Sequence, residues 1–197
     1  MRTLYRFAGI LTAATLAAAA LTGCGPAPWE EDAGATASAS PTAVATPVPN
    51  DLSGGATQRE IVAGSVTATI DYWSTLSMAD WTAEALKPVT LSMTTTVEPA
   101  DGQKVYLQRV TMTAVPSSTS GPLDPLDAQA DAATVSPGYL VLDPYSYSQT
   151  FTVGPVPAEA TSVALRFSYD FLVQSTPTSS DYAKQTATDT ITVALAG

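Results

Sequence analysis

No histidine occurs anywhere in the 197 residues, and cysteine occurs once, at Cys24. The first absence removes Ser-His-Asp and Cys-His nucleophile systems, histidine-ligated zinc and blue-copper sites together. The second removes any intramolecular disulfide, so the core has to hold without a covalent staple. Charge is scarce too. Asp, Glu, Lys and Arg make up 13% of the chain, with 8 basic residues against 18 acidic ones and a formal net charge of -10. A surface of that sign repels phosphate backbones and anionic headgroups, so no nucleic-acid partner is expected. No apolar run reaches the ~20 residues of a membrane-spanning helix, the nearly apolar stretch at 7–21 stopping at about 15. Gly-x-Ser-x-Gly and Ser-x-x-Lys are also missing, so no serine has the sequence context of a nucleophile.

What is present begins with a three-part leader. Arg2 and Arg6 give a basic start, no acid precedes Glu30, and residues 7–21 are mostly alanine and leucine before a run of small residues. That is the pattern of a secretory signal. Leu21-Thr22-Gly23-Cys24 closes it. These four residues resemble the lipobox of bacterial surface lipoproteins, a likeness confined to about a tenth of the chain. The resemblance implies cleavage between Gly23 and Cys24, a thioether-linked lipid (a palmitate-type acyl anchor) on Cys24, and acylation of the new amine. One buried acyl chain binds only marginally, whereas two or more anchor stably. The expectation is therefore a protein held on the extracytoplasmic face of the cell membrane through Cys24. Loss of Arg2 and Arg6 with the leader takes the formal charge to about -12, an acidity that keeps an envelope protein soluble and off its own anionic membrane.

After the signal peptide at 1–23, residues 24–57 are rich in Ala, Thr, Pro and Ser, with an acidic cluster at Glu30, Glu31 and Asp32. Such a segment carries too little apolar mass to offset its ordering entropy and reads as a disordered tether. A domain is expected over 58–197. Val66, Ala68, Ile70 and Tyr72 alternate with polar residues, as do Val89, Leu91, Met93 and Val97. Asp101-Gly102 reads as a hairpin turn into a strand from Val105 to Val115, which has apolar residues on both faces and so is central or bulged. Tyr139 to Leu142 and Tyr147 to Val153 are shorter candidates. Val163, Leu165, Phe167, Tyr169, Phe171 and Val173 give the clearest alternation, and Ile191, Val193 and Leu195 close the series. About seven strands point to an all-β fold, a two-sheet antiparallel sandwich, with immunoglobulin-like topology favoured over a jelly roll or open barrel. Two short helices are expected to interrupt it. Ser77 and Asp80 form a capping-box pattern with Leu76 and Trp81 as staple, and Asp124-Pro125 with Asp127 resembles a second helix start.

Three constellations bear on chemistry. Asp124, Asp127 and Asp131 supply the carboxylates a calcium site needs, but their spacing matches no EF-hand and a helix cap accounts for the first two. Asp71, Glu98, Asp170 and Asp189, with Arg109 and Arg166 near in pattern, provide paired acids of the kind glycoside hydrolysis uses. Strand acids of this kind more often serve as cross-strand partners. Trp73, Trp81, Tyr145, Tyr147 and Tyr182 fall at strand ends or loops, where aromatics either stack on sugars or plug the edges of the core. Met78, Met93 and Met112 could ligate Cu(I), though two lie in strands and are expected to pack. No cofactor is implied. The expected role is a non-enzymatic interaction module whose partner is an envelope protein or a wall glycan. A carbohydrate- or small-solute-binding module is the alternative, and a carboxylate-based hydrolase a third class. The candidate surface comprises Trp73, Trp81, Tyr145, Tyr147, Asp124, Asp127 and Asp131, with the long acidic loop and the loop after Val173 foremost.

Overall fold

A computed structural model describes residues 47–197. Cys24, the leader and most of the expected tether lie outside the described residues. The strands are β1 (Ala56–Ala63), β2 (Val66–Trp73), β3 (Lys87–Val97), β4 (Val105–Ser118), β5 (Gly121–Pro122), β6 (Gln129–Ala132), β7 (Tyr139–Leu140), β8 (Tyr147–Val153), β9 (Ser162–Gln174) and β10 (Tyr182–Ala194). They form two antiparallel sheets, β1-β2-β3-β8 and β10-β9-β4, with β5, β6 and β7 pairing in turn along the outer edge of β4. Counted from β2, the order β2-β3-β8 opposite β10-β9-β4 is the immunoglobulin-like connectivity, A-B-E facing G-F-C. β1 is an added edge strand, and no such strand is expected from the sequence alternation.

The sandwich follows from the alternation. Val163, Leu165, Phe167, Tyr169, Phe171 and Val173 all point inward and are buried, facing Val66, Ala68, Ile70 and Tyr72 of β2 and Val89, Leu91 and Met93 of β3 in one core. β4 is central and bulged, as its two-faced pattern suggests. The β4–β9 register shifts between Leu107 and Arg109, so Val105 and Leu107 point inward on one side of the bulge and Val110, Met112 and Ala114 on the other. Gly138 packs on this bulge with φ +150°, and a Cβ there would lie 2.5 Å from the Leu107 carbonyl oxygen.

Several local expectations yield to tertiary structure. The folded unit starts before residue 58. Leu52 is fully buried, and Asp51 pairs with the edge of β10 by donating its N–H to the Thr192 carbonyl and accepting from the Thr192 N–H. Asp101-Gly102 is not a hairpin, because β3 and β4 belong to different sheets and the chain crosses between them there. The capping box at Ser77 yields one 3₁₀ turn, Met78–Asp80, with the Ser77 hydroxyl accepting from the Ala79 N–H. No helix follows Asp124. The Leu123 and Leu126 amides donate to the Pro116 and Ala114 carbonyls of β4, so this stretch runs as an extended edge with both leucines against the core. A local cap signal loses here to a ladder that satisfies the same amides.

The two ends of the sandwich differ. At the foot, where the chain arrives at Asp51, residues 74–86 fold over the core. Trp81 is fully buried and its indole N–H donates to the Ser74 hydroxyl at 3.2 Å. Beside it Lys87 is fully buried with no carboxylate partner among the described residues, its ammonium donating to the carbonyls of Thr82, Ala85 and Gly154 at 3.1, 2.6 and 3.1 Å. Burial pulls this lysine below its ordinary pKa. The foot is sealed. Loops are exposed at both ends, Thr119, Ser120 and Glu159 among them at the foot, while the clefts between loops lie at the opposite end, the tip.

Candidate functional site

Four connections meet at the tip: the β1–β2 turn, residues 98–104 between β3 and β4, residues 141–146 between β7 and β8, and residues 175–181 between β9 and β10. Glutamine amides tie them together by imitating peptide groups. Gln174 accepts from the Lys104 N–H at 2.9 Å and donates to the Ser179 carbonyl at 2.9 Å, joining two loops through one side chain. Gln103 accepts from the Asp101 N–H and donates to the Pro99 carbonyl, closing its own loop. Gln185 accepts from the Ser65 N–H and donates to the Ser65 hydroxyl. Its amide lies over Gly64, where φ is +57° and a Cβ would sit 2.8 Å from the Gln185 amide carbon. The segment after β7 bridges the two sheets, since the Val141 N–H donates to Val105 of β4 while its carbonyl accepts from Thr95 of β3.

On this braced frame the loop tips stay open. Pro99, Ala100, Asp101, Gly102, Asp143, Tyr145, Thr176, Pro177 and Thr178 are exposed. Thr178 holds φ at +66°, an uncommon conformation for a β-branched residue. Three clefts surround the β3–β4 loop. One of about 290 Å³ lies against the β9–β10 loop, lined by Glu98, Asp101, Gln103, Gln174 and Pro177 among others. A second of about 340 Å³ includes Thr95, Val97, Ala100, Leu142 and Asp143. The third, about 250 Å³, is bounded by Gly102, Lys104, Leu140, Leu142, Asp143 and Tyr145. The tip therefore offers exposed carboxylates, hydroxyls, one lysine and a 57% exposed tyrosine, a set suited to hydrogen bonding and stacking.

Of the seven surface candidates, only Tyr145 lies beside these clefts. Trp81 is a core residue, because its indole fills the space under residues 74–86. Tyr147 points inward at 7% exposure, and its hydroxyl donates to Asp131 at 2.6 Å, so these two bind each other across the closed edge of the sandwich. Tyr139 packs against Tyr147 with ring centroids 5.2 Å apart. Burial, then the bond to Asp131 and its charge, push Tyr147 far above the usual tyrosine pKa. Trp73 is half-buried at the foot end of β2, while Asp124 and Asp127 are exposed beside the foot half of β4, away from the clefts. Among the described residues no three potential metal-ligating side chains gather, Asp124, Asp127 and Asp131 included.

The strand acids are dispersed as well. Asp170 takes Lys184 at 3.0 Å and Thr186 at 2.8 Å as cross-strand partners. Asp71 accepts from the Gln58 amide, and Asp189 accepts from the Tyr72 hydroxyl at 3.0 Å. Met93 and Met112 are buried in the core. The loop after Val173 does line a cleft. The glutamines that brace the tip carry no signal in the sequence, because their partners lie 5 to 120 residues away for Gln174 and Gln185. No protein-family model matches the sequence, and no curated protein does.

Proposed function

We propose that this chain is an envelope lipoprotein, anchored by lipid on Cys24, whose sandwich is a non-enzymatic recognition module acting through its tip. One observation carries the reading: the chain joins the domain at the foot, where Asp51 clasps Thr192, while three clefts open between the loops at the other end. Tyr182 and Thr192 of β10 are ten residues apart, roughly 34 Å at ~3.4 Å per residue. The incoming chain therefore occupies the foot and leaves the tip loops uncovered by its own entry into the domain. A rigid sandwich with braced loops also limits the ordering cost of binding.

The anchoring is tested by Cys24→Ser. The variant should leave the membrane fraction for the medium or keep its leader, and a natural protein found soluble with an unmodified thiol overturns the anchor. Recognition is tested with a photo-crosslinking residue at Ala100 or Thr178 of the tip, against Ser120 or Glu159 of the foot, in the producing cells. A discrete adduct is expected from tip positions only, and equal labelling of both ends, or none, defeats the reading. Carbohydrate or small-solute binding at the tip is the second reading, favoured by exposed Tyr145 beside the cleft of about 250 Å³. Tyr145→Ala would weaken a sugar there and leave a protein contact at the β9–β10 loop unchanged.

A further inference from the structure

The outer face of sheet β10-β9-β4 is chemically unlike the rest of the surface. Registered across three strands, Thr111, Ser168 and Thr188 form one row, and Thr113, Arg166 and Thr190 the next. These six side chains, with Phe167 and Asp189 at the margin, line a shallow depression of about 430 Å³. Arg166 is exposed and forms no ion pair among the described residues.

That isolation is informative because bases are so few. The described residues hold six Lys and Arg against fifteen Asp and Glu. Lys87 is buried, and Arg59 and Lys184 are paired with Asp51 and Asp170. Arg109 faces Asp170 across the ladder on the same outer face. Lys104 belongs to the tip. Arg166 thus stands among hydroxyls with no acid opposite it on either neighbouring strand, its register partners being Thr113 and Thr190. The carboxylate at the margin, Asp189, is already engaged, one oxygen accepting from the Tyr72 hydroxyl and the other from the Thr190 N–H. The outer face of the other sheet also displays threonines, Thr67, Thr69, Thr94 and Thr96, but its charges there are Glu60 and Asp71. Hydroxyls are common to both faces, whereas a free guanidinium set in a depression belongs to one.

A guanidinium fork matches carboxylate or phosphate oxygens bidentately, and threonine hydroxyls held in register on the strands suit the hydroxyl groups of a sugar or polyol. Among the described residues no large exposed apolar side chain stands on this face, and a protein interface wants an apolar or aromatic centre. We propose that this face is a binding site for one acidic unit of an anionic glycan, Arg166 pairing with its carboxylate or phosphate and Thr111, Thr113 and Thr188 bonding its hydroxyls. The site lies apart from the tip clefts and rests on no part of the tip reading.

The test is titration of the intact chain at low salt, by calorimetry and by amide chemical shifts. Tri-galacturonic acid supplies the carboxylate, a glycerol-phosphate trimer the phosphate, and maltotriose is the neutral control. At least one acidic oligomer should bind and shift β4, β9 and β10 amides, weaken as salt rises, and bind tenfold or more weakly to Arg166→Gln. Arg166→Lys should fall between, and Thr188→Val should lose about threefold. Tyr145→Ala at the tip should bind as the unaltered chain does. Equal binding of maltotriose, unchanged binding by Arg166→Gln, tighter binding of an oligoglutamate peptide, or no response to either acidic oligomer at millimolar concentration overturns the proposal.

Discussion

The Tyr72 hydroxyl of β2 and the Tyr169 hydroxyl of β9 meet 2.6 Å apart in the middle of the core, one from each sheet. Because the ionised Asp189 carboxylate only accepts, Tyr72 donates to it at 3.0 Å and Tyr169 donates to Tyr72. The relay crosses the sandwich with a defined direction, and its members are not equivalent. Tyr169→Phe removes the first donor and leaves Tyr72 bonded to Asp189, for a loss of about 1 kcal/mol. Tyr72→Phe strands both the Tyr169 hydroxyl and one oxygen of the half-buried Asp189 carboxylate, the other keeping the Thr190 N–H, for a loss of about 2–3 kcal/mol. Urea unfolding of the two variants should show the larger drop in midpoint for Tyr72→Phe. Equal drops would mean that the relay does not run in this order.

The same buried hydroxyls set an alkaline limit. Burial first, then the neighbouring hydroxyl and carboxylate, hold Tyr72 far above the ordinary value of 10.0, and Tyr169 and Tyr147 are raised mainly by burial as well. In the unfolded chain all three ionise near ~10, while in the folded chain they keep their protons. Above that pH the unfolded state binds fewer protons, so stability present at neutral pH falls as pH rises past ~10. Absorbance at 295 nm should show these three tyrosines silent until the protein unfolds, then ionising together with loss of the β-sheet circular dichroism signal. A gradual, fully reversible titration of every tyrosine in a folded protein would contradict the buried placement.

Legibility followed how local each determinant is. β9 could be read from Val163 to Val173 because every second residue is apolar and buried, and neither neighbour changes that. The break of pattern in β4 was visible as a two-faced strand, and the bulge at Leu107/Arg109 resolves it. β1 left little trace, since an edge strand carrying Gln58, Arg59 and Glu60 lacks an apolar stripe and gains its place by pairing with β2. The tip was half legible. The loop after Val173 and Tyr145 stand where loops of a sandwich are expected to gather, but Trp81, Tyr147 and Asp131 proved to be packing partners whose contacts are made at a distance in sequence. The Arg166 face was hidden for the same reason, because only strand order brings Thr113 and Thr190 to its two sides.

Lys87 locks the foot. Its ammonium is the shared donor for carbonyls on residues 82–85 and for Gly154 after β8, so one side chain fastens the covering segment to both neighbouring strands. Methionine keeps most of the volume but offers no donor. Lys87→Met should therefore take the donor from several carbonyls at the foot, of which those on half-buried Ala85 and Gly154 are the less open to water, and cost about 3 kcal/mol. Hydrogen exchange should show residues 74–86 losing protection while the centre of β9 keeps its order of protection relative to the other strands. A variant as stable as the parent would show that water replaces the ammonium at no cost.

Gln129 guards an edge. β8 ends its sheet, and the pairing groups of Thr152 point away from β3, where its partner is Pro88, a residue with no N–H to offer. The Gln129 side chain from β6 fills the vacancy, donating to the Thr152 carbonyl at 2.7 Å and accepting from its N–H at 3.2 Å, as a neighbouring strand would. Exposed strand edges invite pairing with other chains. Gln129→Ala should cost only about 1 kcal/mol, since both groups can turn to water, yet it should speed exchange of the Thr152 amide and raise the tendency to self-associate. Sedimentation of the variant at increasing concentration, against Gln149→Ala within β8 itself as control, distinguishes an uncovered edge from general destabilisation. If only the control associates, or neither does, the Gln129 amide is not what keeps β8 unpaired.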